Sequence, residues 1–563
     1  MPGIYSAHDA IIGVQGALGG RGGGLRYLLR DEFTTDRAAG AVNGTAAEPG
    51  PGTRTVVDVA NRFSITGGAF TGAGNGAWGG NRLIYVDVPI ARAAGVLLIT
   101  NHIVSSTGPG YINGWSTTTT PITNFEPGLN VSSGGLFQLY DGTIYPFVGS
   151  RSNATPYLTA LILRTAGHLT FIKGGSFTNW TLVYIASTGT TATLYPTALS
   201  VSTLTASISS VRVPTAKWLP TPLLSDGFGS AFGTSDGLGH AEGVAGGIGA
   251  GGSGVTLSNA GGTWSVSGGK AINTPSVGAE VLTNGDFSSW TGDNPDGWTV
   301  VGESGSDPEV SEVGSGESHG GTGTGSANLY TSAGTSMGIR QYTLTLGTWY
   351  RAVVNVSAFS GGGLRLIDNT TATDWGTVTT TGTKTLVQRA KTAFEFNLFR
   401  LNAINITVDD VSLKALTLSE LLTLSNLSCA DVYAGVAITK SNTYVQAGLA
   451  LNWDSASSPT NGLIVYLSGG NIYVDKCVAG TWTNVSNTAY TYSAGARLVC
   501  TMNAGALRVY YNGALITTAT IVDAGILTGQ LHGLFSSDAS NTLDDLTIYA
   551  TGTGGEYSQL DSY

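Results

Sequence analysis

Short runs of alternating apolar and polar residues, each closed by Gly, Asn or Asp, recur along most of the chain. Residues 341–346 read Gln-Tyr-Thr-Leu-Thr-Leu, and residues 350–356 read Tyr-Arg-Ala-Val-Val-Asn-Val. A period of two places every second side chain on the same face of a strand, and no long run has the apolar spacing i, i+3, i+4, i+7 of a helix. The pattern predicts an all-β fold built from multiple antiparallel β-sandwiches.

Composition narrows the possible partners. At ~100–200 residues per domain, the 563 residues predict roughly three or four domains. The formal net charge is −10, and Lys and Arg do not cluster, so we expect no nucleic-acid partner. No run of ~18 apolar residues occurs, so no membrane insertion is expected. The first residues lack both a basic stretch and an apolar stretch, which argues against a secretory signal.

Four pairs of segments resemble each other and predict an internal duplication. The pairs are 28–33 with 223–228, 63–68 with 264–269, 139–145 with 467–473, and 167–175 with 505–513. The second members of the pairs fall either before residue 276 or after residue 460, and residues 276–415 between them have no counterpart in the first copy. An insertion into the second copy explains this excess, because chain ends that lie close together tolerate an inserted domain.

The predicted domain order follows from these repeats. It comprises a Gly-rich arm at 1–25, a sandwich at 26–222, a second sandwich split into 223–275 and 416–563, and an inserted domain at 276–415.

Both ends of the inserted segment carry a recognisable motif. It opens with Asn-Gly-Asp-Phe at 284–287, followed by Gly297-Trp298, and it closes with Val-Asp-Asp-Val-Ser-Leu at 408–413. In these motifs it resembles carbohydrate-binding module families 4 and 9. The resemblance implies a jelly-roll sandwich that binds glycans through aromatic side chains and holds a structural calcium ion near its paired ends. On that basis Asp286 and Asp410 are calcium candidates, together with Asp545 of the similar Asp-Asp pair in the second sandwich.

The two repeated copies resemble laminin-G or concanavalin A-like sandwiches. The resemblance rests on Leu-Arg-Val-Tyr-Tyr-Asn-Gly at 507–513, Gly-Leu-Phe at 533–535 and Leu-Asp-Asp-Leu-Thr-Ile-Tyr at 543–549. The first copy departs from it, because its closing strand at 208–213 has Ser-Ser in place of Asp-Asp. The whole arrangement is similar to bacteriophage tail proteins that string such sandwiches together with sugar-binding insertions.

Aromatic side chains are the candidates for glycan contact, since sugar rings present apolar C–H faces that stack on exposed Trp and Tyr. Trp298 and Trp349 sit where core residues are expected. Trp290 and Trp375 lie in polar, turn-like surroundings, and with Tyr330 they are the predicted glycan-binding residues. For each of these a packing role is an equally good interpretation.

No catalytic constellation stands out, so we predict no catalytic residues and no enzyme activity. The G-x-S-x-G pattern at 334–338 precedes a predicted strand, whereas a nucleophile elbow needs a helix. The six histidines are scattered without metal-binding spacing. Cys429, Cys477 and Cys500 are an odd number in apolar runs, which indicates buried thiols.

These observations favour a non-enzymatic virion structural protein of the phage tail or fibre type, with a glycan-binding role in host adhesion. Its expected partners are copies of itself, as a homo-oligomer, other virion proteins and cell-surface glycans. Its expected location is the virion, and the extracellular space after release. Two alternatives remain open: a purely structural decoration or tube-forming virion protein, and an accessory carbohydrate-binding region of a secreted glycan-active protein.

Overall fold

The computed structural model describes most of the chain from residue 27 onward. The described residues are 27–58, 61–73, 81–104, 111–119, 125–131, 135–140, 144–186, 189–201, 205–226, 258–259, 262–313, 325–368, 374–391 and 394–563. The Gly-rich arm predicted at 1–25 lies outside them. The chain divides into two compact units, one formed by 1–221 with 550–563 and the other by 222–549.

The first unit is a sandwich of two eight-stranded antiparallel sheets. Its strands are β1 (Tyr27–Asp31), β2 (Thr55–Asp58), β3 (Ser64–Thr66), β4 (Ala69–Ala73), β5 (Asn81–Ile84), β6 (Ile90–Ala91), β7 (Leu97–Val104), β8 (Tyr111–Ser116), β9 (Phe125–Val131), β10 (Leu136–Tyr140), β11 (Ile144–Ser150), β12 (Pro156–Leu163), β13 (His168–Gly174), β14 (Phe177–Ala186), β15 (Thr193–Val201) and β16 (Thr205–Pro214). One sheet has the order β14-β13-β12-β7-β16-β4-β3 with β1 on β16, and the other has the order β11-β10-β9-β8-β15-β5-β2 with β6 on β15. Alternate residues of each strand, such as Trp115 and Phe137, form the core between the sheets.

Residues 550–563 pack on the first unit, although the sequence predicted that they end the second sandwich. The backbone N–H of Leu182 donates to the carbonyl of Thr551, and the Trp180 Nε1 donates to Asp561 at 2.9 Å. The ring of Tyr557 lies edge-on to Phe171, with centroids 4.9 Å apart. Phe171 is outside the inter-sheet core, so this segment covers an apolar outer face that would otherwise be exposed.

The second unit contains the remaining strands. Before and within the inserted segment these are β17 (Leu224–Asp226), β18 (Ser258–Asn259), β19 (Thr263–Ser267), β20 (Lys270–Thr274), β21 (Trp290–Thr291), β22 (Asn294–Pro295), β23 (Thr299–Val301), β24 (Glu309–Glu312), β25 (Ala327–Thr331), β26 (Gly338–Leu344), β27 (Trp349–Gly361), β28 (Leu364–Ile367), β29 (Asp374–Val378), β30 (Gly382–Arg389), β31 (Phe394–Arg400) and β32 (Ile404–Leu416).

After the insert the chain completes the second sandwich. The elements are a 3₁₀ helix (Leu418–Leu421), β33 (Leu422–Asn426), β34 (Val432–Lys440), β35 (Ala447–Trp453), β36 (Gly462–Ser468), β37 (Asn471–Val478), β38 (Thr481–Ala489), β39 (Ala496–Asn503), β40 (Ala506–Tyr511), β41 (Ala514–Thr520), a short helix α1 (Ala524–Leu527), β42 (Leu531–Ser536) and β43 (Asn541–Ala550). A second 3₁₀ helix (Ser558–Ser562) follows in the segment that packs on the first unit. None of the helices in the described ranges is long and apolar enough to cross a membrane.

The second sandwich repeats the strand order of the first. Its sheets run β41-β40-β39-β34-β43-β20-β19, with β17 on β43, and β38-β37-β36-β35-β42-β33-β18. Three of the four sequence pairs fall on equivalent strands, namely β1 with β17, β3 with β19 and β13 with β40. The prediction for the fourth pair was wrong, because its two segments lie on hairpins that are shifted by one strand in the sheet order. Residues 139–145 run from β10 to β11, whereas 467–473 run from β36 to β37, which correspond to β9 and β10.

The inserted segment forms a third, smaller sandwich, and the all-β prediction is confirmed. Its five-stranded sheets have the orders β23-β26-β31-β28-β29 and β24-β25-β32-β27-β30, and β21 pairs with β22 in a short hairpin. Its first and last segments run side by side, since Gly278 N–H donates to the Ala415 carbonyl and Val281 N–H to the Leu413 carbonyl. The two points where the insert joins the second sandwich are therefore neighbours, as an inserted domain requires.

The insert packs tightly against the second sandwich. Trp349 of β27 and Val387 of β30 share one buried apolar cluster with Tyr466 and Phe535 on the outer face of the β38–β18 sheet. Arg389 and Asp475 form a buried ion pair in the same region, with 2.7 Å between Nη2 and Oδ2. The insert therefore buries the apolar outer face of the second sandwich.

Candidate functional site

Trp375 does not form an exposed platform, so that prediction is corrected. Its side chain is 5% exposed and lies in the core of the insert, stacked on Tyr350 at 6.4 Å and tilted against Phe396 at 5.5 Å. The polar residues around Trp375 were interpreted as a turn, but they belong to β29, and strand alternation directs the indole inward.

Trp290 and Tyr330 are both half-buried. The Trp290 ring packs against the insert core, and its Nε1 donates to the Phe287 carbonyl at 2.7 Å. That bond fixes the short hairpin that Trp290 begins. Tyr330 lies in β25, opposite Glu309 on one side and Asn405 on the other. Trp298 and Trp349 are buried, as the sequence predicted.

The calcium candidates of the insert lie on neighbouring segments. Gly285 and Val411 are joined by a 2.8 Å backbone hydrogen bond, which brings the Asp286 and Asp410 loops together. Burial, with the nearby charges of Asp410 and Asp286, raises the pKa of Asp409. In the part of the chain that the structure describes, no group of three or more His, Cys, Asp or Glu side chains could hold a metal ion. Because calcium also takes backbone carbonyl and water oxygens, the calcium assignment stays a prediction.

Asp410 and Asp545 share an unusual backbone conformation. Both have positive φ, 46° and 50°. Asp tolerates this left-handed conformation better than most residues do. The backbone N–H of each second Asp donates to the carboxylate of the preceding residue, to Asp409 Oδ1 at 2.7 Å and to Asp544 Oδ1 at 2.8 Å. The motif therefore marks a strand irregularity.

The outer face of the β23–β29 sheet brings several polar and aromatic side chains together. Ile339, Phe396 and Leu366 point into the insert core. Alternation therefore directs Arg340, Asn397 and Arg365 to the opposite side of the same strands. We call this surface the insert outer face; it comprises Arg340, Tyr342, Arg365, Glu395, Asn397 and Phe399.

Asn397 lies at the middle of the insert outer face. It pairs across the strands with Arg340 on one side and Ile367 on the other. The residue is only 1% exposed, yet neither Nδ2 nor Oδ1 has a hydrogen-bond partner among the described residues. An unpaired buried amide costs ~1–3 kcal/mol of stability. Such a group is well suited to form hydrogen bonds with a ligand as both donor and acceptor.

Tyr342 is the exposed aromatic of this face, with 58% of its surface accessible. It lies opposite Glu395, whose carboxylate accepts a hydrogen bond from Arg340 Nη1 at 2.9 Å. The Arg340 guanidinium sits 5.2 Å from the centre of the Tyr342 ring. The ion pair and the cation–π contact together hold the ring in place while much of it remains open to solvent.

Phe399 adds a second, half-buried ring. It pairs with Gly338, and a Cβ at that glycine would lie 2.8 Å from the ring and 2.4 Å from the Leu398 carbonyl oxygen. Only glycine leaves room for the ring to lie this close to the sheet. The face therefore carries aromatic surface at both Tyr342 and Phe399, with the polar groups of Arg340, Glu395 and Asn397 between them.

The sequence predicted the strands of this face but not the face itself. Residues 341–346 were recognised as an alternating run, and residues 394–401 follow the same kind of pattern. The useful signal was the polar half of the alternation, in which Arg340 and Tyr342 are two residues apart. The predicted glycan-binding residues Trp290 and Trp375 are not members of this face.

Comparisons with known proteins bear on the fold. No protein-family model matches the chain, and no curated protein matches it. Among solved structures, the carbohydrate-binding module CBM66 from Bacillus subtilis matches at 15% identity over 23% of this chain and 81% of its own, with a TM-score of 0.19. Sheep galectin-11 matches at 8% identity over 21% of this chain and 90% of its own, with a TM-score of 0.18.

A third match is the exoplasmic/lumenal domain of VIP36 in its Ca2+/Man3GlcNAc-bound form. It shares 8% identity over 30% of this chain and 85% of its own, with a TM-score of 0.23. Each of these likenesses concerns the fold alone.

Proposed function

We propose that the chain is a glycan-binding protein and that the insert outer face is its binding surface. The observation that carries the proposal is Asn397, a buried amide without a partner in the described residues, beside an exposed tyrosine held by an ion pair. A sugar ring would stack an apolar C–H face on Tyr342. Its hydroxyls would donate to Glu395 and to Asn397 Oδ1 and accept from Arg340 and Asn397 Nδ2.

The test is a glycan array probed with the full chain and with Tyr342→Ala. Loss of the stacking partner is expected to weaken binding of the recognised glycan at least ~10-fold, which corresponds to ~1.4 kcal/mol. Tyr492→Ala is the matched control, since Tyr492 is an exposed tyrosine of the second sandwich, away from this face. Binding that is equal in wild type and Tyr342→Ala would reject this face. A wild-type chain that binds no glycan would favour a purely structural role.

We extend this proposal to the virion location that the sequence favours. The chain would be a non-enzymatic virion component of the tail or fibre type, assembled with copies of itself and other virion proteins. Many copies would make weak single-site binding effective through avidity. Mass spectrometry of purified particles and antibody labelling in electron micrographs would test the location. Measurable cleavage of the bound glycan by the purified chain would contradict the absence of catalysis.

A further inference from the structure

The first unit contains a second polar face, on the sheet equivalent to the one that the insert covers in the second unit. Leu83, Leu129 and Phe137 point into the core of the first sandwich. Alternation therefore directs Arg82 of β5, Asn130 of β9 and Gln138 of β10 to the outer side of this sheet. In the second sandwich the corresponding outer face is apolar, with Tyr466 and Phe535 packed against the insert.

These side chains lie in one cross-strand row. Gln138 pairs with Asn130, Asn130 with Ile112, and Ile112 with residue 200, which in turn pairs with Arg82. Three strand spacings separate Asn130 from Arg82, a span of ~14 Å at ~4.8 Å per strand. Ile112, between them in the row, is fully buried, so a ligand would contact Asn130 and Arg82 at two separate points.

Two members of the row have unmet hydrogen-bonding capacity. Arg82 is 6% exposed, and its Nε and Nη1 have no partner in the described part of the chain. Asn130 is 2% exposed; its Nδ2 donates to Gln138 at 3.4 Å, but its Oδ1 accepts nothing from the described residues. A buried guanidinium without a carboxylate is expensive to keep, because little compensates for its lost hydration.

The unpaired donors and acceptor of this row indicate which chemical groups a ligand would need. The free N–H donors of the charged guanidinium favour an anionic acceptor such as a carboxylate. The free Asn130 Oδ1 matches a hydroxyl donor, and the half-buried Gln138 lies at the more solvent-accessible end of the row. A polysaccharide with carboxylate-bearing sugars supplies both groups along one extended chain.

We infer that the outer face of the first sandwich is a second ligand site, separate from the insert outer face, which takes a carboxylate-bearing polysaccharide through Arg82, Asn130 and Gln138. The inference does not depend on the insert binding any glycan. The shielding of Arg82 from water strengthens its hydrogen bonds to an entering carboxylate.

Titration of the full chain with polygalacturonate oligomers, followed by calorimetry, tests the inference. Carboxyl-reduced oligomers of equal length serve as the neutral control. Wild type is expected to bind the acidic oligomers and not the neutral ones, and Arg82→Gln is expected to lose at least ~10-fold in affinity. Tyr342→Ala should bind the acidic oligomers as wild type does, which separates this site from the proposed insert site.

A second variant covers the case in which Arg82→Gln fails to fold. Gln138→Glu adds a negative charge at the half-buried end of the row and should weaken binding of the acidic oligomers by repulsion. Wild-type protein that binds neither oligomer, or a folded Arg82→Gln or Gln138→Glu variant with wild-type affinity, would overturn the inference. Equal binding of acidic and neutral oligomers would overturn it as well.

Discussion

Trp349 of the insert lies edge-on to Tyr466 of the second sandwich, with ring centroids 6.1 Å apart and an interplanar angle of 68°. Trp349 also contacts Phe535 and Trp482, and it is only 2% exposed. A domain joined to the second sandwich only through its two linkers would bury such a residue within its own core. The insert and the second sandwich therefore share a core and are expected to unfold together.

Trp349→Ala should accordingly destabilise the second unit as a whole. Deleting a buried tryptophan costs ~3–5 kcal/mol through lost burial and the cavity left behind. Urea unfolding should show this loss in one transition that includes both sandwiches of the unit. Val522→Ala trims a side chain that is 75% exposed and should change the free energy of unfolding by less than ~0.5 kcal/mol. Separate transitions for the insert and the second sandwich would contradict the shared core.

The Arg389–Asp475 pair at the same contact should matter far more than an exposed pair. Asp475 is fully buried and also accepts hydrogen bonds from the Tyr466 hydroxyl at 3.0 Å and from Asn484 at 2.7 Å. Asp475→Asn leaves the Arg389 charge buried without its counter-charge, at a cost of ~3–5 kcal/mol. Lys173→Gln breaks the more exposed Lys173–Asp561 pair and should cost ~0–1 kcal/mol. Denaturant unfolding of the two variants compares them, and similar losses would contradict the argument.

Period-two alternation was enough to predict the all-β fold, because the polarity of strand residues reports which face is buried. It also placed Trp298 and Trp349 in buried positions. It could not decide the fate of Trp375, since one residue of register reverses the face. Long-range packing was also out of reach: nothing local to residues 550–563 indicates that Tyr557 will cover Phe171. Asn397 and Arg82 could not be singled out from the sequence, because only the structure shows that their buried polar atoms lack hydrogen-bond partners among the described residues.

Acidification should destabilise the first unit more than the second. Burial lowers the pKa of His102 and His168 to about 3 in the first unit, and that of His532 to about 4 in the second. Each histidine has an unfolded pKa near 6.5, so the unfolded state takes up the proton first. The stability is complete above that pH and is lost as the pH falls towards the folded pKa. At pH 5 the loss is ~2 kcal/mol for each histidine.

Urea unfolding at pH 7.5 and pH 5 measures this difference between the units. His532→Gln should reduce the pH dependence of the second unit and leave that of the first unchanged. Equal pH dependence in the variant and the wild type would show that His532 is not buried in its neutral form.

Removal of residues 551–563 should destabilise the first unit selectively. The segment covers Phe171 with Tyr557 and supplies the Asp561 carboxylate to Trp180 and Lys173. Its loss exposes apolar surface on the first sandwich, whose free energy of unfolding should fall by several kcal/mol at ~25 cal/mol per Å². Calorimetry of the truncated chain should show a lower transition for the first unit only. Tyr557→Ala should produce a smaller shift of the same transition, whereas a lowered second-unit transition would contradict the assignment.

Asn397→Leu separates binding from folding at the insert outer face. The buried amide has no partner among the described residues, so leucine, of similar size, removes an unsatisfied polar group without breaking a hydrogen bond. The variant should be more stable than wild type by ~1–3 kcal/mol, as measured by urea unfolding. The same change should weaken glycan binding, because the donor and acceptor that a sugar would use are gone.

Gln341→Leu is the contrasting variant: the Gln341 side chain bonds Thr283 at 2.7 Å and 3.1 Å, so its loss should destabilise the insert. A less stable Asn397→Leu would mean that the amide is satisfied within the fold, and the surface would lose its strongest mark of a binding site.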